Sequence, residues 1–191
     1  MKKLDNYGTE MIPIRLLMSI AIISAITAML AYGYINLSVT MSENNIQNEF
    51  NTLQSKLNVM VASGVARDLD QLNSADGTKR THTFDLPSNI DYMAFGVDPD
   101  LHNTGGLSTN LTENGAIFVY KVSGGNKHIT WLSTEDFKFR EGLYNNSRWE
   151  INQEDQGYII NDSGSITLTF ELVTKNDEEF ILIQQTDNFD V

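Results

Sequence analysis

Residues 11–42 read MIPIRLLMSIAIISAITAMLAYGYINLSVTMS, and from residue 16 to residue 42 no side chain is charged. A helix needs about 20 predominantly apolar residues to cross a hydrocarbon core about 30 Å thick, so this stretch is long enough to span a membrane. Ser19, Ser24 and Thr27 interrupt the apolar pattern, but each can return its hydroxyl to a carbonyl one turn back and so remain satisfied in lipid. A buried core helix is the competing reading, yet a domain of this size has little use for so long a run that is hydrophobic on every side. A secretory signal also begins basic and continues apolar, but its apolar region runs for about 7–15 residues and ends in small residues. Here the run is longer, and Ala31-Tyr32-Gly33 lacks an A-x-A pattern. The stretch is therefore expected to be a retained transmembrane helix over residues 11–42.

Flanking charge orients it. Residues 1–34 carry Lys2, Lys3 and Arg15 against Asp5 and Glu10, a net +1 that leaves −13 for residues 35–191 of the whole-chain −12. The first charges beyond the apolar run are Glu43 and Glu49. By the positive-inside tendency, residues 1–10 form a cytoplasmic leader or tail and residues 43–191 lie outside the cell membrane. Pro13 suits a first helical turn. Arg15 can lay its methylenes in the boundary layer and reach the phosphates of membrane lipid with its charge.

Past the bilayer, Ile46, Phe50, Leu53, Leu57, Met60, Gly64 or Val65, Leu69 and Leu72 recur at spacings of three and four. This predicts that the helix continues as an amphipathic segment over residues 43–73, until the polar turn of residues 74–80. The stripe has two candidate partners, the chain's own downstream domain or the same helix of neighbouring subunits. We expect the former for residues 53–72, and residues 35–52 are open to either. Alternation with period two then predicts strands over 81–86, 90–97, 116–122, 128–132, 137–140, 157–160, 165–174 and 179–185. The last two are joined by a turn at residues 175–178. The fold class is α+β: a long N-terminal helix packed on a C-terminal antiparallel β-sheet or sandwich spanning residues 81–191. Residues 98–114 and 141–156 read as irregular loops, and Trp131 and Trp149 as core.

The acidic balance argues against nucleic acid as a partner, since a basic footprint is needed to displace counterions from phosphates. With no cysteine, disulfides, thiolate metal sites and cysteine nucleophiles are excluded. His82, His102 and His128 have no ligand spacing. Asp98-Pro99-Asp100 and Gln153-Glu154-Asp155 could hold calcium, but neither matches an EF-hand loop and both read as solvated loop charges. No nucleophile elbow or phosphate loop occurs, so no catalytic residue, metal or cofactor is expected. Asn36, Asn110, Asn145 and Asn161 head N-glycosylation sequons.

The string Asp5-Asn6-Tyr7-Gly8-Thr9-Glu10-Met11-Ile12-Pro13-Ile14-Arg15-Leu16-Leu17 resembles the N-terminal signature of archaeal type IV pilin-like membrane proteins. In that family a short polar leader ends in glycine, often with a glutamate soon after, and a long apolar helix follows. The resemblance implies a lollipop-shaped subunit in which a prepilin peptidase cuts after Gly8, leaving Thr9 as the new N-terminus. Glu10, Pro13 and Arg15 would then complete the helix signature, with Glu10 near the new ammonium group and the positive end of the helix dipole. Asn6 and Tyr7 stand where a basic residue is common. Two functions follow as expectations. One is a pilin-like surface subunit, or a minor component of a type IV pilus-like filament, associating with its own kind through the N-terminal helix. The other is a permanently anchored extracytoplasmic binding or adhesion protein that does not polymerise.

Overall fold

The apolar run and the spaced stripe behind it form one helix, α1 (Tyr7–Ser63). The computed structural model describes residues 7–108, 116–132, 137–145 and 148–185, with side chains from Ile14 onward. After α1 the described strands are β1 (Arg67–Asp68), β2 (Lys79–Leu86), β3 (Ile90–Phe95), β4 (Ile117–Val122), β5 (Lys127–Trp131), β6 (Phe137–Asn145), β7 (Arg148–Ile151), β8 (Tyr158–Ile160), β9 (Gly164–Lys175) and β10 (Glu178–Gln185). The chain divides into two compact units, residues 1–40 and residues 41–191.

Both ends of the helix depart from the sequence reading. It begins at Tyr7 rather than at residue 11, which puts Pro13 beyond the first turn, where its missing N–H removes the bond that would reach the carbonyl of Thr9. It ends at Ser63 rather than near residue 73. The N–H of Gly64 still reaches the carbonyl of Met60 at 2.8 Å, but a Cβ at residue 64 would stand 2.2 Å from that same oxygen. A side chain would therefore force the chain to leave by another path. Beyond it, Leu69 packs on Val173, Phe180 and Leu182, while Leu72 is 84% exposed.

The second unit is a pair of sheets. The first runs β7–β6–β10–β9, and the far side of β9 carries both β2, along residues 164–171, and β1, at Val173 and Thr174. The second sheet runs β5–β4–β3–β8. Most pairings are antiparallel as expected, but β1 with β9 and β6 with β10 are parallel, so the first sheet is mixed. The strand β6 also extends past its expected end and pairs antiparallel with β7. This replaces much of the loop expected over residues 141–156 with paired strands.

The two sheets and residues 46–60 of α1 share one core. Ile46, Phe50, Leu53, Leu57 and Met60 are all buried, which assigns the stripe from residue 46 to residue 60 to the chain's own β-domain, whereas Val65 and Leu72, expected to continue it, are exposed. Phe50 stacks on Phe118 of β4 with ring centroids 4.0 Å apart and planes 4° from parallel. Phe95 of β3 meets Phe118 at 5.1 Å, and reaches across to the first sheet at Phe139 (5.5 Å), Phe170 (5.7 Å) and Phe84 (6.0 Å). Such aromatic contacts contribute about 0.5–1.5 kcal/mol each beyond area burial. Of the two tryptophans expected in the core, Trp149 packs on the outer cluster of the first sheet. Trp131, on edge strand β5, is 54% exposed.

Phe95→Ala is expected to destabilise the chain by about 3–5 kcal/mol, because it empties a ring position in contact with Phe118 of its own sheet and with Phe84, Phe139 and Phe170 of the other. Leu72→Ser should change stability by less than about 0.5 kcal/mol, as an exposed residue outside the helix. Denaturant unfolding of the full chain in micelles, followed by tryptophan fluorescence, checks both.

Candidate functional site

In the first unit, every large apolar side chain from Ile14 to Leu37 is more than half exposed, from 52% at Ile20 and Ile26 to 75% at Met29 and Tyr34. The helix is long and apolar enough to cross a membrane, with an 18-residue window of mean hydropathy 2.1. Ser19 and Thr27 donate their hydroxyls to the carbonyls of Arg15 and Ile23, each at 2.9 Å, so these polar atoms need no water. Burying a Leu, Ile or Met side chain is worth about 1.5–3 kcal/mol. Leaving the whole set in water would forgo on the order of 20 kcal/mol, more than the typical 5–15 kcal/mol net stability of a domain. Lipid or another protein surface must therefore cover this helix.

In the second unit, the only charges on residues 41–63 are Glu43, Glu49 and Lys56, and all three turn toward the sheets. Glu43 accepts the N–H of Asn126 at 3.2 Å, and its Oε1 lies 3.1 Å from Nε2 of His128 on β5. Out of line for a hydrogen bond, that contact becomes an ion pair only when His128 is protonated. The His128 ring stacks on Tyr120 at 4.8 Å, and the Tyr120 hydroxyl lies 3.3 Å from both the Glu43 carbonyl and Oε1 of Gln47. Burial, with Glu43 adding to it, pushes the Tyr120 phenol up to about 12. At β2, the Glu49 carboxylate accepts the N–H of Asp85 at 3.2 Å and stands 3.9 Å from Nε2 of His82. Lys56 Nζ donates to the carbonyl of Thr81 at 3.2 Å and lies 3.3 Å from Nδ1 of His82. Burial, then the Lys56 charge, lowers the His82 pKa. Burial, and then Asp85, raises that of Glu49 against the pull of the Asp85 N–H. With its charges turned inward, the outward face at Asn44, Asn45, Asn48, Asn51, Thr52, Ser55, Val59 and Ala62 is exposed and uncharged.

The segment after the helix is held by a buried ion pair. Arg67 donates Nε and Nη2 to Glu171 of β9 at 2.8 and 3.0 Å, and Nη2 also to the carbonyl of Trp149 at 2.8 Å. Glu171 further accepts the N–H of Gly77 at 3.1 Å and Nε2 of Gln184 at 2.9 Å. Gly77 has no room for a side chain, since a Cβ there would meet the Leu172 carbonyl at 2.1 Å.

The residues singled out by sequence fall as follows. Gly8, Thr9, Glu10 and Pro13 lie in helical backbone at the start of α1, and Arg15 follows in the same helix. Asn36 is also helical, its carbonyl accepting Thr40 Oγ1 at 3.0 Å. Asn145, at the end of β6, and Asn161, after β8, are exposed, and Asn110 lies outside the described residues. Asp98 and Asp100 are buried rather than solvated. Lys127 Nζ donates to Asp98 Oδ2 at 2.6 Å and to the Asp100 carbonyl at 2.9 Å, occupying the place a calcium ion would need. The Asp100 carboxylate accepts the N–H groups of Thr104 and Gly105 at 2.6 and 3.0 Å. Burial pushes Asp100 up, but these bonds, aided by Lys121 and Lys127, outweigh it and hold the group below the usual range. Among the described residues, no three His, Cys, Asp or Glu side chains gather as metal ligands. The pairing of His82 and His128 with glutamates of α1 was missed in the sequence. Its one visible signal was that Glu43, Glu49 and Lys56 flank the apolar stripe.

Comparison with protein-family models, with curated proteins and with solved structures finds no match.

Because the folded pKa of His82 lies below its ordinary 6.5, the unfolded chain binds more protons there, and stability falls as pH drops through about 6.5. Glu49 works the other way, since its raised pKa costs stability as pH rises past its ordinary 4.5. Between about pH 7.5 and about pH 5.5, wild type should thus lose more thermal stability than His82→Gln, read as two melting curves per protein. Arg67→Met strands Glu171 in the interior and should cost about 3–5 kcal/mol in denaturant unfolding.

Proposed function

We propose that this chain is a pilin-like surface subunit, or a minor assembly component, of a type IV pilus-like filament. Its N-terminal helix rests in the cell membrane before assembly and among other copies or related subunits afterwards. The N-terminus is cytoplasmic, and residues 43–191 form the acidic domain displayed outside. The observation that carries this reading is the uniformly exposed apolar surface from Ile14 to Leu37 on a helix that continues, unbroken, into the core of a β-domain. Such a surface needs a cover, and both lipid and neighbouring helices supply one. The uncharged outward face of residues 44–62 supports close approach of copies whose domains are otherwise strongly acidic.

Processing belongs to the same proposal. A prepilin peptidase cuts after Gly8, and Thr9 becomes the first residue, with Glu10, Pro13 and Arg15 behind it. Among the described sequons, exposed Asn145 and Asn161 are better placed to carry glycans than the helical Asn36, which is poorly presented to a glycosylating enzyme.

Mass spectrometry of the chain recovered from its own cell envelope tests the reading. A mature N-terminus at Thr9 is expected, along with loss of both cleavage and extracellular filaments containing this chain in a Gly8→Leu variant. A chain that keeps Met1, and is found only in membranes, would overturn the filament role and leave a permanently anchored binding protein.

A further inference from the structure

Strand β5 ends the second sheet, and among the described residues no strand pairs with its outer side. The N–H of Leu132 reaches the carbonyl of Ala116 at 3.1 Å, and in an antiparallel ladder every second residue turns both backbone groups to the same neighbour. His128 and Thr130 therefore bond to their register partners Tyr120 and Phe118 on β4, whereas Lys127, Ile129 and Trp131 turn N–H and C=O to the open side. The side chains of those three share the face of their partners Lys121, Val119 and Ile117. On that face Ile129 is 45% and Trp131 54% exposed.

An open edge with exposed apolar residues is a template for another strand, and folded proteins blunt such edges with charge or cover. At the edge of the first sheet α1 does this for β2, since Glu49 accepts the N–H of Asp85 and Lys56 donates to the carbonyl of Thr81. Among the described residues, no hydrogen bond caps the outward groups of β5 in this way. Its lysine is drawn off the edge, with Lys127 Nζ 2.6 Å from Asp98 Oδ2 and 2.9 Å from the Asp100 carbonyl. The ion pair also neutralises it, and β5 carries no carboxylate. This edge thus lacks the like charge that keeps acidic domains apart.

We propose that β5 is a self-association edge, at which two copies of this chain pair antiparallel about a two-fold axis at Ile129. In that register Ile129 faces its own counterpart and Lys127 faces Trp131 in both directions, so every outward N–H and C=O finds a partner. Moving the axis to residue 128 or residue 130 leaves Trp131 or Lys127 without one. The two Ile129 side chains meet at the axis, and each Trp131 indole lies along the methylenes of the opposed Lys127. The contact is isologous and closed, so both free edges are consumed. It is small, which makes the dimer concentration-dependent. No residue of α1 takes part, and the pairing stands or falls separately from the filament reading.

The full-length chain, labelled with ¹⁵N and held in an excess of zwitterionic micelles, is followed by amide hydrogen exchange over a dilution series, with sedimentation reporting copies per particle. The amides of Lys127, Ile129 and Trp131 are expected to exchange about tenfold or more slowly in the concentrated sample and freely on dilution, while those of His128 and Thr130 stay protected throughout. Ile129→Pro removes an outward N–H and leaves the bonds to β4 in place, so the fold is retained. It should abolish the protection of Lys127 and Trp131 at every concentration. The chain has no cysteine, and hydrogen-bonded antiparallel partners stand about 5.5 Å apart at Cα, within disulfide reach. Ile129→Cys should therefore cross-link two copies about tenfold faster than the exposed control Tyr144→Cys. Free exchange of the three amides at all concentrations, protection that persists in single copies, or equal cross-linking at the two positions overturns the proposal.

Discussion

The stacking of Phe50 on Phe118 is the contact on which the second unit depends. It is where α1 enters the core, and through Phe118 and Phe95 it joins the helix to both sheets. Once that ring pair is in place, the rotation of the helix about its axis is set. Ile46, Leu53, Leu57 and Met60 then face inward, and Glu43, Glu49 and Lys56 fall at the two margins of the stripe, within reach of β5 and β2. The uncharged outer face follows from the same rotation, because no other charged residue is available on this stretch to occupy it.

Much of this fold was legible because its elements carry strong periodic signals. The strands β2 to β6 and β8 to β10 stand close to where alternation places them, and the apolar stripe of the helix is buried at each position from residue 46 to residue 60. The helix end was misread because Leu69 and Leu72 continue the spacing by coincidence. Leu69 is apolar because it covers the outer cluster of the first sheet. Strand β1 has only two residues, Arg67 and Asp68, which leaves no room for a pattern. Strand β7 is half-buried throughout, so Trp149 and Ile151 do not alternate against exposed neighbours. Pairing direction is a tertiary property: β6 and β10 run parallel, with β7, β8 and β9 between them in the chain.

The candidate sites were legible to different degrees for the same reason. A long apolar helix is local in sequence, so it can be read from consecutive residues. The contacts of Glu43 with His128, of Arg67 with Glu171 and of Lys127 with Asp98 join residues far apart in the chain. The fold brings each pair together, and no spacing rule anticipates that. Asp98 and Asp100 illustrate the effect: two carboxylates in a polar stretch look solvated, yet both are buried once Lys127 is beside them.

The ion pair between Arg67 and Glu171 closes a span of 104 residues, and that has a consequence for how the protein is made. Synthesis proceeds at about 5–20 residues per second, so roughly 5–20 seconds separate the emergence of the two partners. The apolar first half of α1 is complete before any strand exists, whereas the stripe behind it must wait for Phe118 and then for β9. Strand β9 must itself arrive before β2, already made, can pair. The earliest-made element thus carries an unshielded apolar face through most of translation, and long-range closure of this kind slows folding. In a chain built in this order, covering the apolar first half early leaves only the short stripe from Ile46 to Met60 exposed while the remaining strands arrive.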